Sequence, residues 1–226
     1  WVSYSVNKED MWISRIPVPV EINASAHADD DFSKNKSIAE LTDWNIYSPV
    51  WAPVSLEDQW LKLQDKDPFD YAKVERKIPA SKELKVSFDL KAGQNNKGTL
   101  QIEFLDENGI ACSRIELTDD GIFRLKGGSR FANMMKYEAG KVYHVEAVLS
   151  TVDRNIQVYV DGKRVGLRMF YAPVAAVERI VFRTGVPRTF PTVDTPADQT
   201  YDLPNAGAQD PLAEYGIANV KTSSTD

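Results

Sequence analysis

Cysteine and histidine are scarce in this sequence of 226 residues, which contains one cysteine and two histidines. The single cysteine, Cys112, excludes an intrachain disulfide, and its place in an alternating segment favours the role of a small apolar residue. A nucleophilic thiol would need a histidine partner, and only His27 and His144 exist. His144 lies between Tyr143 and Val145 in a strand pattern, so we expect its side chain to face solvent. Zinc is disfavoured because no second histidine or cysteine stands at ligand spacing.

Long runs of basic or apolar residues are also missing. The net charge is −6 and the Lys and Arg residues are scattered, which argues against nucleic acid or an anionic membrane surface as a partner. No apolar run approaches the roughly 18–20 residues of a transmembrane helix, so membrane insertion is not predicted. Glycine-rich phosphate-binding motifs and the Gly-x-Ser-x-Gly nucleophile motif are absent. Because the chain begins at Trp1 without an initiator methionine or a signal peptide, we interpret it as a piece of a longer protein.

Helical periodicity is nearly absent, apart from a short turn expected within residues 33–42. Strand patterns dominate instead. In Lys82–Ala92, apolar and polar side chains alternate strictly, as they do in a strand with one buried face. Similar segments, separated by turns rich in Asp, Asn and Gly, are 99–105, 111–117, 122–126, 141–150, 155–160, 163–170, 177–183 and 216–222. So many short strands predict an all-β sandwich or barrel.

Two segments stand apart from this pattern. Residues 1–20 contain two apolar patches around 7–10 and predict a hairpin, whose second arm is ended early by Pro17 and Pro19. Residues 185–214 contain five prolines and predict a long loop, a feature that is usually functional or part of an interface.

The hairpin within residues 137–163 carries the first family resemblance. Its segments Tyr137–Leu149 and Asn155–Lys163 resemble a hairpin common in concanavalin A-like and laminin-G-like domains. Residues 30–44 and 217–221 are similar to the opening and closing strands of such jelly rolls. The resemblance implies a two-sheet antiparallel β-sandwich over residues 29–226. The fold alone implies no function, since it is shared by lectins, carbohydrate-binding modules, glycanases and spacers.

A second resemblance lies further upstream. Residues 4–17 resemble the segment that ends the sialidase-like (BNR-type) β-propeller of large secreted glycan-degradation proteins in gut Bacteroidetes. Residues 44–54 and 65–72 are similar to the jelly roll that follows this propeller. The resemblance implies that residues 1–28 are the remnant of a preceding propeller, and that the protein is periplasmic, extracellular or on the cell surface. The propeller itself is missing, together with the sialidase arginine triad and Tyr/Glu pair, so no sialidase activity is carried over.

The five tryptophans, at positions 1, 12, 44, 51 and 60, all lie in the first sixty residues. Sugar sites stack pyranose rings on flat aromatic faces and bind hydroxyl groups through Asp, Asn and Arg. Trp44 and Trp60 stand at strand-like positions that favour the core, whereas Trp51 lies between two prolines, where a regular strand is disfavoured. The candidate carbohydrate-binding residues are Trp51, Trp60, Asp70, Tyr71 and Arg76.

Carboxylates suggest two further kinds of site. Asp29, Asp30 and Asp31 form an acidic run that is either a solvated turn or the ligand set of a structural calcium ion, which prefers oxygen ligands. A glycosidase needs two carboxylates about 5–10 Å apart across a cleft. The segment Glu103–Glu107 comes nearest to the carboxylate-rich strand of jelly-roll glycanases, but its spacing differs. We therefore predict no catalytic residue.

The leading hypothesis is a non-catalytic accessory module that binds glycan or braces the adjacent propeller domain. The alternative is a glycoside hydrolase or polysaccharide lyase that acts through Asp or Glu. An accessory module would expose a glycan-binding or docking surface. An enzyme would need a groove with two carboxylates at hydrolase distance, or a Tyr, His or Arg group near a charge-neutralising cation.

Overall fold

A computed structural model of the chain describes residues 2–6, 10–14, 25–68, 70–185 and 209–224. An N-terminal hairpin comes first. Its strands β1 (Val2–Val6) and β2 (Asp10–Ser14) pair antiparallel, with Tyr4 opposite Trp12. The hairpin forms a two-stranded sheet of its own. The hairpin predicted from the sequence is therefore confirmed, and its second strand ends at Ser14.

The body of the described chain is a sandwich of two large antiparallel sheets. The first has seven strands in the order β12-β11-β10-β9-β16-β7-β4. Their bounds are β4 (Trp44–Tyr47), β7 (Lys73–Ser81), β9 (Leu100–Leu105), β10 (Ala111–Leu117), β11 (Ile122–Gly127), β12 (Arg130–Lys136) and β16 (Val177–Thr184). The meander from β9 to β12 is local, whereas β16 and β7 are brought in from distant parts of the sequence.

The second sheet has eight strands, seven of them in the order β15-β14-β13-β8-β17-β6-β5. Their bounds are β5 (Val54–Glu57), β6 (Trp60–Asp65), β8 (Glu83–Ala92), β13 (Val142–Ser150), β14 (Asn155–Val160), β15 (Lys163–Met169) and β17 (Ala213–Ser224). The eighth strand, β3 (Asp29–Asp30), pairs with β17 where the register of β17 shifts.

The core lies between the two sheets and follows the alternation of the sequence. On β8, Leu84, Val86, Phe88 and Leu90 are all buried. Phe88 meets Phe182 of the opposite sheet edge to face, with 5.0 Å between ring centroids. Each of these side chains contributes roughly 1.5–3 kcal/mol by leaving water. The two-sheet antiparallel sandwich predicted from the sequence is confirmed, as is the burial of Cys112.

Two details differ from the sequence-based expectations, and a third prediction is mostly untested. The turn expected within residues 33–42 contains only a single 3₁₀ turn at Ile38–Glu40. Trp44 is in the core as predicted, but Trp60 is half-buried and lies outside it. Most of the Pro-rich loop predicted over residues 185–214 lies outside the described residues. Among the residues that are described, no helix is long and apolar enough to cross a membrane.

Candidate functional site

The outward face of the seven-stranded sheet carries a line of charged residues. On β9, Ile102 and Phe104 point into the core, so Gln101 and Glu103 point outward. Arg114 and Glu116 stand directly opposite them on β10, and Arg124 follows opposite Glu116 on β11. We call the outward residues Glu75, Glu103, Arg114, Glu116, Arg124 and Arg179 the polar row.

The middle of the polar row is a chain of charge-assisted contacts. Arg114 binds Glu103 through two nitrogens: its Nε and Nη2 lie 2.7 and 2.5 Å from Glu103 Oε1. Gln101 Nε2 donates to Glu116 Oε2 at 2.7 Å, and Arg124 forms an ion pair with the other oxygen of Glu116. Each carboxylate is therefore matched by a cation on the neighbouring strand.

Glu75 forms the other end of the polar row. Its carboxylate lies 2.8 Å from Lys73 Nζ and 3.3 Å from Arg179 Nη1, and it accepts a 3.5 Å hydrogen bond from Asn45 Nδ2. Burial alone would raise the pKa of Glu75, but the hydrogen bond and charge of Lys73, with Arg179, hold it below its ordinary value. Glu75 is therefore an anion at neutral pH and is poorly suited to act as a general acid.

Burial of so many charges is hard to explain by stability. Glu75, Glu103 and Glu116 are only 5%, 8% and 3% exposed. A buried ion pair is often no more stabilising than a well-packed apolar pair, because both ions lose their hydration. A row of such pairs therefore suggests a function, namely a rigid array of donors and acceptors held on a sheet.

Aromatic rings border the polar row on both sides. Arg124 stacks on Phe131, with its guanidinium 4.3 Å from the ring centroid, and Lys126 Nζ lies 4.4 Å from the centre of Tyr171. At the other side, Arg183 lies 4.2 Å from the centre of Tyr71. Flat rings beside fixed hydrogen-bonding groups are the usual makeup of a sugar-binding surface.

Two of the predicted carbohydrate-binding residues, Asp70 and Tyr71, stand at this border. Tyr71 packs on Tyr47 at 5.4 Å between centroids, and Tyr47 donates a 2.7 Å hydrogen bond to Asp70 Oδ2. The backbone N–H of Asp70 donates to Asp67 Oδ1 at 3.0 Å, which fixes the turn before β7. The structure thus places Asp70 and Tyr71 together, next to Lys73 and Glu75.

Trp60 lies on the opposite side of the sandwich. A groove of about 220 Å³ runs over the outward face of the eight-stranded sheet, and its lining includes Trp60, Lys62, Lys91 and Glu214. The indole lies on Gly216, because a Cβ at that glycine would come within 2.9 Å of Trp60 Cε3. Trp60 is therefore a half-buried platform in a separate groove, away from Asp70 and Tyr71.

Trp51 is half-buried in the segment between β4 and β5. Its carbonyl accepts a 2.9 Å hydrogen bond from the backbone N–H of Lys66, which ties this segment to the end of β6. The five predicted residues are therefore not brought together at one place, and only Asp70 and Tyr71 adjoin the polar row.

Arg76 is placed differently from the prediction. It points inward, is 3% exposed, and donates from Nε to Asp30 Oδ2 at 2.8 Å and from Nη1 to the Lys77 carbonyl at 2.7 Å. Trp44 Nε1 donates to the same Asp30 oxygen at 3.0 Å. Because Asp30 belongs to one sheet and Arg76 and Trp44 to the other, these hydrogen bonds link the two sheets. We call this cluster of Asp30, Arg76 and Trp44 the inter-sheet clip. A guanidinium buried in this way holds the fold and does not offer its donors to a glycan.

The calcium site predicted at Asp29, Asp30 and Asp31 is not supported either. Asp30 is used by the clip, Asp29 pairs with Lys221 at 3.1 Å, and Asp31 accepts hydrogen bonds from the N–H and hydroxyl of Ser33. Within the described ranges, no group of three or more His, Cys, Asp or Glu side chains is arranged to hold a metal ion. Adjacent residues of an extended segment point in different directions, which explains why the three carboxylates do not converge.

Cys112 is not a nucleophilic centre, and His144 lies away from it on the surface of the other sheet. Burial raises the pKa of the Cys112 thiol to about 12, so the thiolate needed for nucleophilic attack is not formed at neutral pH. His144 Nδ1 lies 2.8 Å from Asp89 Oδ1, and its side chain is half exposed on the eight-stranded sheet, as predicted. The polar row therefore offers binding groups, with its carboxylates held by cations.

The polar row itself was missed by the sequence analysis. A signal was present, because β9, β10 and β11 each carry polar or charged residues two positions apart on their outward face: Gln101 and Glu103, Arg114 and Glu116, Arg124 and Lys126. Strand β16 adds Arg179 and Arg183, which stand four positions apart on the same face. Strand by strand, this is the ordinary pattern of a solvated face. Only the register of the sheet joins the pairs into a row.

Known proteins similar to this chain include one protein family and one solved structure of high sequence identity. A family model described as "Sialidase-like, CBM domain" matches residues 44–199. A solved chain described as a sialidase is 89% identical, covers 99% of this chain and superposes with a TM-score of 0.90. This chain spans only 21% of that sialidase chain, about a fifth of its length. None of the curated proteins matches.

More distant solved structures share the fold alone. One comes from a study of endo-acting O-glycanases that prominent members of the human gut microbiota express to initiate mucin breakdown. It is 13% identical, covers 87% of this chain and 98% of that chain, and has a TM-score of 0.60. An apo transglycosylase is 11% identical, covers 90% and 85% of the two chains, and has a TM-score of 0.62.

Proposed function

The chain belongs to the sialidase-like carbohydrate-binding-module (CBM) domain family, and from that premise we propose that it is a non-catalytic glycan-binding module of a larger, secreted sialidase-like protein. The polar row and its aromatic border are the proposed binding surface. The observation that carries this assignment is the set of ion pairs on an outward sheet face, in which the glutamates are buried and their cations are partly exposed. Such pairs contribute little net stability, but they hold donors and acceptors at fixed positions for sugar hydroxyl groups.

The accessory role is favoured over the hydrolase or lyase alternative by the state of the carboxylates. A retaining or inverting glycosidase needs one carboxylic acid with a raised pKa to protonate the leaving group. Glu75 is held as an anion, and Glu103 and Glu116 are each ion-paired with an arginine. This arrangement suits recognition better than proton transfer.

A second binding place is proposed at the Trp60 groove. The Trp60 ring, which packs against Gly216 and lines this groove, offers an aromatic surface to a pyranose ring, and Lys62 and Glu214 beside it supply polar groups. We keep Trp60, Asp70 and Tyr71 as proposed glycan contacts and assign Arg76 to the fold. The role of Trp51 rests on its half exposure alone.

The adjacent domain is the second proposed partner. We infer that the hairpin of β1 and β2 is the last part of a preceding propeller, because these strands make a small sheet of their own and the sialidase chain is about five times as long as this one. His27 and Ala28 belong to the sandwich, since both hydrogen-bond with Thr222 of β17. The proposed location, periplasmic or extracellular, rests on the family. A variant that lacks residues 1–24 tests the inference, because its urea midpoint should match that of the full chain. A large loss of stability would make the hairpin part of the sandwich.

A glycan array probed with the isolated chain tests the binding function. Tyr71→Ala should reduce the affinity by roughly 5- to 150-fold, since a stacking ring contributes about 1–3 kcal/mol. Tyr159→Ala is the matched control, because Tyr159 is a half-buried tyrosine of the eight-stranded sheet. Binding that is equal in both variants would remove the polar-row border from the site. If only a longer protein binds and this chain does not, the domain-bracing role replaces the binding role.

A further inference from the structure

The two sheets of the sandwich end side by side. Strand β12 is the outermost strand at one end of the seven-stranded sheet, and β15 holds the same place in the eight-stranded sheet. A Cβ at Gly166 of β15 would come within 2.6 Å of Met134 Sδ on β12. Glycine at this position therefore lets the two edge strands approach each other closely. We call the surface formed by Arg130–Lys136 and Lys163–Met169 the lateral edge.

The lateral edge carries positive charge only. Its two strands contain no Asp or Glu, although the whole chain has a net charge of −6. The neighbouring strands β11 and β14 contain no Asp or Glu either. The exposed cations of the lateral edge are Arg130, Lys136, Lys163, Arg164 and Arg168. None of these cations forms an ion pair with another residue in the part of the chain that the structure describes. A group of cations without counter-ions attracts an anionic partner.

A groove of about 350 Å³ opens between the two strands of the lateral edge. Its lining includes the apolar side chains of Met134, Val165 and Leu167, and Leu167 is 45% exposed. Arg164 and Arg168 line the same groove. An apolar side chain seated there would leave water, and anionic groups beside it would meet the two arginines. The groove therefore suits a ligand that combines an apolar side chain with carboxylates.

Each strand of the lateral edge is interrupted by a β-bulge. The register of β12 against β11 skips Met134, and the register of β15 against β14 skips Val165. A bulge twists an edge strand and breaks the row of backbone groups that an added strand would need. Both bulged residues line the groove. The lateral edge therefore favours a partner that binds through its side chains over one that extends the sheet.

We propose that the lateral edge binds an acidic polypeptide segment in which Asp or Glu residues flank an apolar side chain. The apolar side chain fills the groove, and the flanking carboxylates pair with Arg164 and Arg168. The planar guanidinium group matches the two oxygens of a carboxylate, so arginine favours this partner. An anionic polysaccharide brings the charge but no apolar side chain for the groove. None of the groove residues belongs to the polar row, so this inference goes beyond the glycan-binding function and does not depend on it.

Fluorescence anisotropy of a labelled synthetic peptide tests the proposal with the chain as it is. The probe is a short peptide of Glu and Asp with one central Leu. Two matched peptides replace its acids by Gln and Asn, or its Leu by Gly. The acidic peptide should bind on the order of tenfold more tightly than its amide counterpart, and loss of the Leu should weaken binding roughly fivefold. Binding should also weaken on the order of tenfold between 0.1 and 1 M NaCl, as the screening length shortens from about 10 to about 3 Å.

Substitutions then place the binding on the lateral edge. Arg164→Gln and Arg168→Gln should each weaken binding of the acidic peptide roughly fivefold, since each exposed ion pair contributes modestly. Leu167→Ser should remove most of the advantage of the Leu peptide over the Gly peptide. All three residues are exposed, and thermal melting checks that the variants fold. Lys34→Gln is the matched control, because Lys34 is an exposed lysine in the turn after β3 and its loss should change nothing.

Four other outcomes would each overturn the proposal. Equal affinity for the acidic and amide peptides, or equal affinity of the wild type and both arginine variants, would remove the carboxylate contacts from the lateral edge. Tighter binding of heparin or of phosphatidylserine vesicles than of the acidic peptide, lost in Arg168→Gln, would replace the polypeptide by a polysaccharide or a lipid surface. Self-association in sedimentation velocity that is lost in the same variant would make the occupant a second copy of this chain. Binding in the glycan array, tested by Tyr71→Ala, is independent of all these results.

Discussion

Asp30 is expected to stabilise the sandwich far more than the aspartates on either side of it. Its Oδ2 accepts from Arg76 Nε at 2.8 Å and from Trp44 Nε1 at 3.0 Å, and it joins the two sheets. Asp30→Ala removes both bonds and leaves the Arg76 guanidinium buried without its nearest counter-ion. The same substitution at Asp29 or Asp31 removes only an exposed contact.

The size of the loss follows from the burial of the partners. Removal of one member of a buried ion pair costs roughly 3–5 kcal/mol, because the remaining charge stays desolvated. The side chain of Asp30 is 20% exposed, and Asp43 Oδ2 lies 3.5 Å from Arg76 Nη2, so part of the loss is offset. We therefore expect Asp30→Ala to lower the free energy of unfolding by about 2–3 kcal/mol. For a chain of this length, the Tm should fall by roughly 4–12 °C.

Urea unfolding and thermal melting of three single variants measure this, each with EDTA and with added calcium. The inter-sheet clip predicts a large loss for Asp30→Ala, no measurable loss for Asp29→Ala and Asp31→Ala, and no effect of calcium on any of them. Equal losses of stability in all three variants, with a wild-type Tm that rises when calcium is added, would refute the stabilising role of the Asp30 cluster. That result would support a calcium site at Asp29, Asp30 and Asp31.

Three further changes have defined outcomes. Burial raises the pKa of Asp65 to about 6, so the native state keeps this proton to higher pH than the unfolded chain does, and stability falls as pH rises from about 4 to about 6. Asp65→Asn should therefore reduce this dependence of stability on pH, with a gain in the free energy of unfolding of up to about 3 kcal/mol at pH 7.5. Urea midpoints of the variant that change with pH as much as those of the wild type would contradict this prediction. Gly216→Ala should displace the Trp60 ring and shift tryptophan fluorescence to the red, whereas Gly93→Ala in the same groove, whose nearest neighbour would be 3.6 Å away, should not; identical spectra would exclude the packing of the indole on Gly216. Cys112 should not react with a thiol reagent until urea unfolds the chain. Labelling of Cys112 in the native protein would contradict its burial in the core.

The sequence predicted the sandwich because most of its strands obey one rule. In β8, every second residue is apolar, and the predicted strand 82–92 differs from the observed strand by one residue at its start. Predictions for β13 and β14 were equally close, because each has a regular alternation and a polar turn at its end. The prediction for β16 differs from the observed strand by one residue at its end. The core between the sheets follows directly from this pattern.

Strand β7 escaped prediction for a physical reason. Its inward positions are Val74, Arg76 and Ile78, so a charged residue stands where the pattern requires an apolar one. Arg76 is tolerated there because Asp30, 46 residues earlier, neutralises it. A partner so distant in sequence cannot be recognised without the fold.

The candidate site was predicted only in part, also because it depends on long-range pairing. Asp70 and Tyr71 were identified, since acidic and aromatic residues were concentrated in one short segment. The contact between Glu75 and Arg179 joins residues 104 positions apart, and it exists only because β16 pairs with β7. Trp60 was expected in the core, but the absence of a side chain at Gly216 opens a place for its ring on the outer face.

The central claim is that this chain binds glycan on the outward face of its seven-stranded sheet. The most direct test is amide chemical-shift mapping of the isotope-labelled chain, titrated with the strongest ligand from the glycan array. If the glycan binds there, the largest shifts fall on β9, β10, β11 and β16 and on the backbone around Tyr71 and Tyr171. Shifts confined to the eight-stranded sheet, or no shifts at saturating ligand, would contradict it.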